Sequence, residues 1–329
     1  MIERRPRRPR NTAELQEQIR SARAGIREQV RTTRTQFDEA NAKVTERSGR
    51  NLVFAIGFGL VLGGLLIVSL VVVKQLFVVM AVVLVAFGTS ELATALRRSG
   101  VRVSRVGSAV AGVLALPIAF ASTLPVVGTR DQPWIPGGWL AALTGAVALA
   151  VVWRLAQQLT RPAAGRALGR DLVHTAFVQL YVTGLGSTTV VLLAQTGGQW
   201  WVLGFIVVVV ATDVFAYVTG LRFGRHRMAP RISPGKTWEG FAGAAAAALV
   251  LGAVLAPLML QRPVWFGLVF GAVILLTGTL GDLGESMIKR DIGVKDMSSW
   301  LPGHGGFLDR IDSVLPSASA ALLLFVLST

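Results

Sequence analysis

Asp282, Glu285, Ser286 and Lys289 fall at i, i+3, i+4 and i+7 in the stretch GDLGESMIKR. On a helix that spacing lines up two carboxylates, a hydroxyl and an ammonium along one stripe. Asp309 and Asp312 repeat the i, i+3 interval further along, with Arg310 between them. Separating the two groups are Arg290, Lys295, a turn signal at Pro302 and Gly303, His304, and the glycines 305 and 306. Carboxylates converging from two helix ends suit a hard, oxygen-seeking cation. Lysines and arginines beside them suit the phosphates such a cation carries, and glycines let a backbone approach those phosphates. His304 adds little alone: with only His174 and His226 besides, no histidine-rich metal site exists, and a turn-stabilising role is the default.

A second polar region lies upstream, in ATDVFAYVTGLRFGRHRMAPRISPGKTWEG at 211–240. Asp213 interrupts an apolar helical run, where a carboxylate costs about 3 kcal/mol on insertion scales and needs a cation, a metal or a wet cavity. Tyr217 and Gly220 follow at i+4 and i+7 on the same face. The run SPGKT at 233–237 invites a phosphate-loop reading, which fails because Pro230 stands where that motif needs glycine and no strand precedes it. What remains is a turn carrying Ser233 and Lys236, both able to meet phosphate oxygens. Glu91 and Glu239, near helix ends, read as interfacial acids.

The elements that hold these groups are membrane helices. Apolar residues make up 52% of the 329 and charged residues only 16%, too few to cover a soluble surface. Nine apolar blocks have spanning length, near 51–73, 75–91, 106–123, 139–155, 174–195, 199–221, 238–260, 263–281 and 313–328. Residues 1–50 form a basic, charged extension, and 51–329 a polytopic all-α membrane domain. Arginines and lysines crowd alternate connections: Arg97, Arg98, Arg102 and Arg105; Arg154, Arg161, Arg166 and Arg170; then Arg222 to Lys236; then Lys289 to Arg310. The opposite connections are nearly bare, so the N-terminus is expected in the cytoplasm. Trp134, Trp139, Trp200, Trp201 and Trp265 are expected as a belt at the outer edge. The excess of 33 basic over 18 acidic residues is thus mainly an orientation signal, and nucleic acid is not expected as a partner. With no cysteine, thiol chemistry and Cys-ligated metals are excluded.

The run SMIKRDIGVKD at 286–296, followed by LPGHGGFLDRID at 301–312, closely resembles the phosphatidate cytidylyltransferase (CDP-diacylglycerol synthase) family signature. Asp213 with Ala216, Tyr217, Gly220 and Arg222, then Ser233, Pro234 and Lys236 through Gly240, is similar to that family's second recurring region. The resemblance is strong over 211–312 and has no counterpart in the first 50 residues. It implies that CTP and phosphatidic acid give CDP-diacylglycerol and pyrophosphate with Mg²⁺, the excess of carboxylates suiting a second cation. It further implies a homodimer in the inner (plasma) membrane, with its active site facing the cytoplasm among membrane lipids. Asp282 and Asp309 would be metal ligands, joined by Asp312. Lys289, Arg290, Asp213 and Lys236 would complete the catalytic group, with Ser286, Ser233, Lys295, His304 and Arg310 at the substrates. Glu285 would either ligate metal or position Lys289. The competing readings are a CTP-dependent enzyme acting on another lipid, such as an ether-lipid phosphate or a polyprenol, and an ion-coupled transporter. Transport predicts paired broken helices from internal repeats, which the sequence lacks.

Overall fold

The computed structural model describes residues 52–124, 137–160, 165–294, 296–298 and 306–328. The chain divides into two compact units, Met1–Leu66 and Ile67–Thr329. The described part of the first unit is the beginning of one apolar helix, α1 (Leu52–Val71). The second unit continues with α2 (Lys74–Arg98), α3 (Arg105–Thr123), α4 (Gly138–Ala156) and α5 (Gly165–Val178). A π-helical turn, Gln179–Gly184, joins α5 to α6 (Leu185–Ala194), and α7 (Gly198–Phe223) follows. A β-hairpin, β1 (Arg227–Ala229) and β2 (Ser233–Thr237), leads into α8 (Trp238–Leu255). The chain then runs through α9 (Val264–Ile292), the short α10 (Leu308–Ile311) and α11 (Val314–Ser328).

Among the described residues, eight helices are long and apolar enough to cross a membrane, α5 and α6 counting as one and α10 with α11 as another. Each of the nine expected apolar blocks coincides with a helix, counting α1. Several helices outrun their blocks: α2 continues to Arg98 and α9 to Ile292. The added turns are polar: those of α9 carry Asp282, Glu285 and Lys289, and those of α2, which follow Glu91, end in Arg97 and Arg98. Their ends follow local chemistry. Ser104 caps α3 by accepting the Gly107 amide at 3.1 Å, and Thr237 caps α8 by accepting that of Gly240 at 3.1 Å. Gly293, in the left-handed region with φ 79°, stops α9 just after Lys289 and Arg290.

Helices α7, α8, α9 and α11 pack into one group that carries the polar residues, and α6 joins it to a second group of α2, α3 and α4. The approach of α8 to α9 requires glycine, since a Cβ on Gly252 would overlap the Gly267 carbonyl. At one end of the first group, Trp201 sits edge-on to Phe266, Phe270 and Phe325. Asp213 and Asp282 lie twelve residues beyond Trp201 and Phe270 on α7 and α9, about 18 Å along the helix axes. Aromatic packing therefore holds one end of the group and carboxylates gather at the other.

The helical bundle is as expected, with one short addition: a two-stranded hairpin, formed where extended backbone at Pro234 and a turn before Ser233 interrupt the helical run between α7 and α8. Two expectations are corrected. Trp201, expected in an outer belt, is buried, because three phenyl rings surround it. Arg154, read as an orientation charge in a loop, is also buried. It pairs with Asp171 of α5 at 2.6 Å, both side chains being 1% exposed. Trp134 lies outside the described residues.

Candidate active site

Four elements bring the expected polar residues to one cavity of about 420 Å³. Asp213 comes from α7, Ser233 and Lys236 from β2, Asp282 and Lys289 from α9, and Asp309 and Asp312 from α10 and the residue after it. The convergence has a steric basis. Gly281 lies against the Asp312 carbonyl, where any Cβ would overlap the oxygen, so α9 and the start of α11 touch backbone to backbone. Asp282 and Asp312, at this backbone contact, both line the cavity. Ala216, Phe241 and Ala244 line the same cavity, giving it an apolar wall beside the carboxylates.

Each lysine is locked to carboxylates. Lys236 Nζ meets Asp282 Oδ2 at 2.6 Å, linking the hairpin to α9. Lys289 Nζ meets Glu285 Oε2 at 2.6 Å and Asp309 Oδ1 at 2.9 Å. Glu285 is fully buried, does not line the cavity and meets Lys289 from the inner side. The second oxygen of Asp309 accepts the amides of Gly306 at 2.8 Å and Met297 at 3.3 Å. Asp312 Oδ1 accepts the Ser313 amide at 2.7 Å. Asp213 makes no ion pair among the described residues.

Among the described residues, Ser286, Arg290 and Arg310 do not line the cavity. Ser286 stands one turn from Asp282, its hydroxyl 3.5 Å from Oδ1. Arg290 is exposed and donates to the Ile232 carbonyl at 3.3 Å, tying the end of α9 to the hairpin turn. Arg310 is exposed on α10. Lys295 and His304 fall outside the described residues. Tyr217 shares the cavity with Asp213, as its i+4 spacing predicts. Glu239, expected to be interfacial, fastens the neck of the hairpin: it accepts the Arg225 amide at 3.1 Å and meets His226 Nδ1 at 2.6 Å.

Glu91 corrects the sequence reading. It is not interfacial but fully buried in α2, accepting hydrogen bonds from Ser298, Phe307 and Leu308. No local signal marks it, because its partners are more than 200 residues away in the chain.

Four aspartates facing two lysines leave a cavity with surplus negative charge when all are ionised, a donor set made entirely of hard oxygens. No three acidic or histidine side chains among the described residues stand close enough to enclose a metal by themselves. A Mg²⁺ site does not require that, since this ion is commonly held by one or two carboxylates together with substrate phosphates. The donor set therefore suits a hard cation carried by phosphates, and Asp282, Asp309 and Asp312, which all line the cavity, are the residues that would hold it.

The cytidylyltransferase family profile matches residues 54–328. The phosphatidate cytidylyltransferase of Mycobacterium bovis is 36% identical over 293 residues, covering 87% of this chain and 92% of its own. That of Mycobacterium leprae is 34% identical over 298 residues, covering 87% and 91%. A shorter match, 38% identical over 148 residues, joins 44% of this chain to 54% of the phosphatidate cytidylyltransferase of Brucella abortus. The chain belongs to the cytidylyltransferase family and is a nucleotidyltransferase.

Proposed function

We propose that this cytidylyltransferase transfers CMP from CTP to phosphatidic acid, giving CDP-diacylglycerol and pyrophosphate, with Mg²⁺, at the cytoplasmic face of the membrane. The observation that carries the reading is the cavity itself. Carboxylates and lysines from α7, β2, α9 and α10 meet beside an apolar wall, at the end of the helix group richest in arginine connections. A lipid phosphate and a soluble nucleotide can meet only at such an interface.

The reaction needs little acid–base help, because a phosphate monoester is already anionic near neutral pH. A lipid phosphate oxygen attacks the α-phosphorus of CTP, the α–β bond breaks, and pyrophosphate leaves with the electron pair. The obstacle is the meeting of two anions and the charge that builds on the leaving group. Bound Mg²⁺ would supply charge neutralisation on the phosphate oxygens. Lys236 and Lys289, fixed by Asp282 and by Glu285 with Asp309, would meet the triphosphate oxygens with their ammonium groups. A pre-aimed cation in a site shielded from water acts more strongly than the same cation in solution. Asp282, Asp309 and Asp312 would supply the oxygens that hold the metal.

The test is incorporation of labelled CTP into lipid by purified protein in detergent. Product should require phosphatidic acid and Mg²⁺, and should fall on the order of 10²-fold or more in folded Asp282→Asn and Asp309→Asn proteins. Full activity in both variants would remove the metal assignment. Label entering a polyprenol or an ether-lipid phosphate in preference to phosphatidic acid would replace the substrate.

A further inference from the structure

Glu91 lies outside the cavity, yet it grips the chain on both sides of the segment that separates the cavity's acidic residues. Its Oε1 accepts from the Ser298 hydroxyl and from the Phe307 amide at 2.9 Å, and its Oε2 accepts the Leu308 amide at 2.8 Å. Ser298 follows α9, whereas Phe307 and Leu308 open α10. One carboxylate from α2 therefore holds together the chain leaving one site helix and the chain entering the next. The fit is close: a Cβ on Gly306 would stand 2.8 Å from Oε2. One turn before Glu91, Phe87 stacks on Phe307 with ring centroids 4.5 Å apart, fixing the same junction from the apolar side.

Asp309 grips the same two stretches from within the cavity, through the amides of Met297 and Gly306, and turns its other oxygen to Lys289. The two carboxylates brace one junction from opposite sides. Asp309 holds its direction only while 297 and 306 stay adjacent, which is what the Glu91 contacts to 298, 307 and 308 maintain.

We propose that Glu91 is a positioning residue for cytidylyl transfer: it sets the junction between α9 and α10, and through it the direction in which Asp309 and Asp312 face the cavity. The inference rests on the function proposed above. Glutamine in its place keeps the shape but turns an N–H₂ group toward donors that need an acceptor, so at least one of the three bonds is lost. The junction then loosens while the cavity's own side chains remain.

Two readouts test this in purified full-length protein. Glu91→Gln should lower kcat by about tenfold or more, leaving the KM for CTP within about twofold, because misplacement penalises the reacting geometry more than binding. The chain contains no cysteine, and Met297 is fully buried. A Met297→Cys protein should therefore resist maleimide, and adding Glu91→Gln should speed its labelling by about tenfold as the junction opens. If the Glu91→Gln protein is not recovered, Ser298→Ala, which removes one of the three donors, should move both readouts in the same direction by several-fold. Unchanged labelling, or a kcat within twofold of the parent, overturns the proposal. A parent protein with no cytidylyl transfer would sink the function reading alone, and the labelling comparison would still decide whether Glu91 holds the junction.

Discussion

Lys236 reaches Asp282 from a strand 46 positions earlier in the chain, and the 2.6 Å contact joins two regions that are each polar for their own reasons. If the pair works as one unit, the two side chains should not contribute independently. Lys236→Met should raise the KM for CTP and lower kcat, while Asp282→Asn should mainly lower kcat and shift the Mg²⁺ requirement upward. Each loss should be on the order of 10²-fold, and the double variant should be little worse than the more damaged single one, as for residues that share one interaction. Steady-state kinetics across a Mg²⁺ series measures this; multiplying losses would show two independent roles. Most of the cavity was legible at this scale. Helical spacing put Asp282, Glu285 and Lys289 on one stripe, and the cost of a charge in an apolar run singled out Asp213. Glu91 was not legible, because a glutamate followed by LATALRR looks like an ordinary helix end until its distant partners are placed beside it.

The elements were readable wherever apolar length decided them and unreadable where a contact across the chain did. The hairpin is a case of the second kind. Its strands have three and five residues, and Pro234 and Gly235 look like loop, yet the Trp238 amide bonds the His226 carbonyl at 2.9 Å and closes its neck. The join between α4 and α5 is another. Arg154 and Asp171 are both 1% exposed, and Asp171 also accepts the Arg102 amide at 2.9 Å, so one carboxylate fastens three stretches of chain. Removing one partner of a buried pair strands the other charge, at a cost of about 3–5 kcal/mol. Asp171→Asn should therefore lower the thermal midpoint in detergent markedly. Converting Arg154 to Met as well should recover part of that loss, since no charge is then left unpaired. A double variant less stable than either single one would show that the pair's worth lies in its bonds to the backbone rather than in charge balance.

At the scale of the whole chain, the proposed reaction requires the carboxylate end of the α7–α11 group to face the compartment that holds CTP. Both ends offer exposed positions for testing this: Arg231 beside the cavity on the hairpin, and Thr196 at the opposite end, between α6 and α7. The arginine distribution argues for the cavity end being inside, because four clusters of basic residues fall on that side while the connection at 196–199 carries no charge. The cysteine-free sequence makes the measurement direct. In single-cysteine proteins, an impermeant maleimide should label Thr196→Cys in intact cells and Arg231→Cys only in inside-out vesicles. The reverse pattern would place the cavity where no cytoplasmic nucleotide could enter, and would leave the acidic cluster without its proposed substrate. Orientation is thus the condition on which the residue and element arguments jointly depend, since paired lysines and aspartates at the wrong face would be a stable arrangement with nothing to transfer.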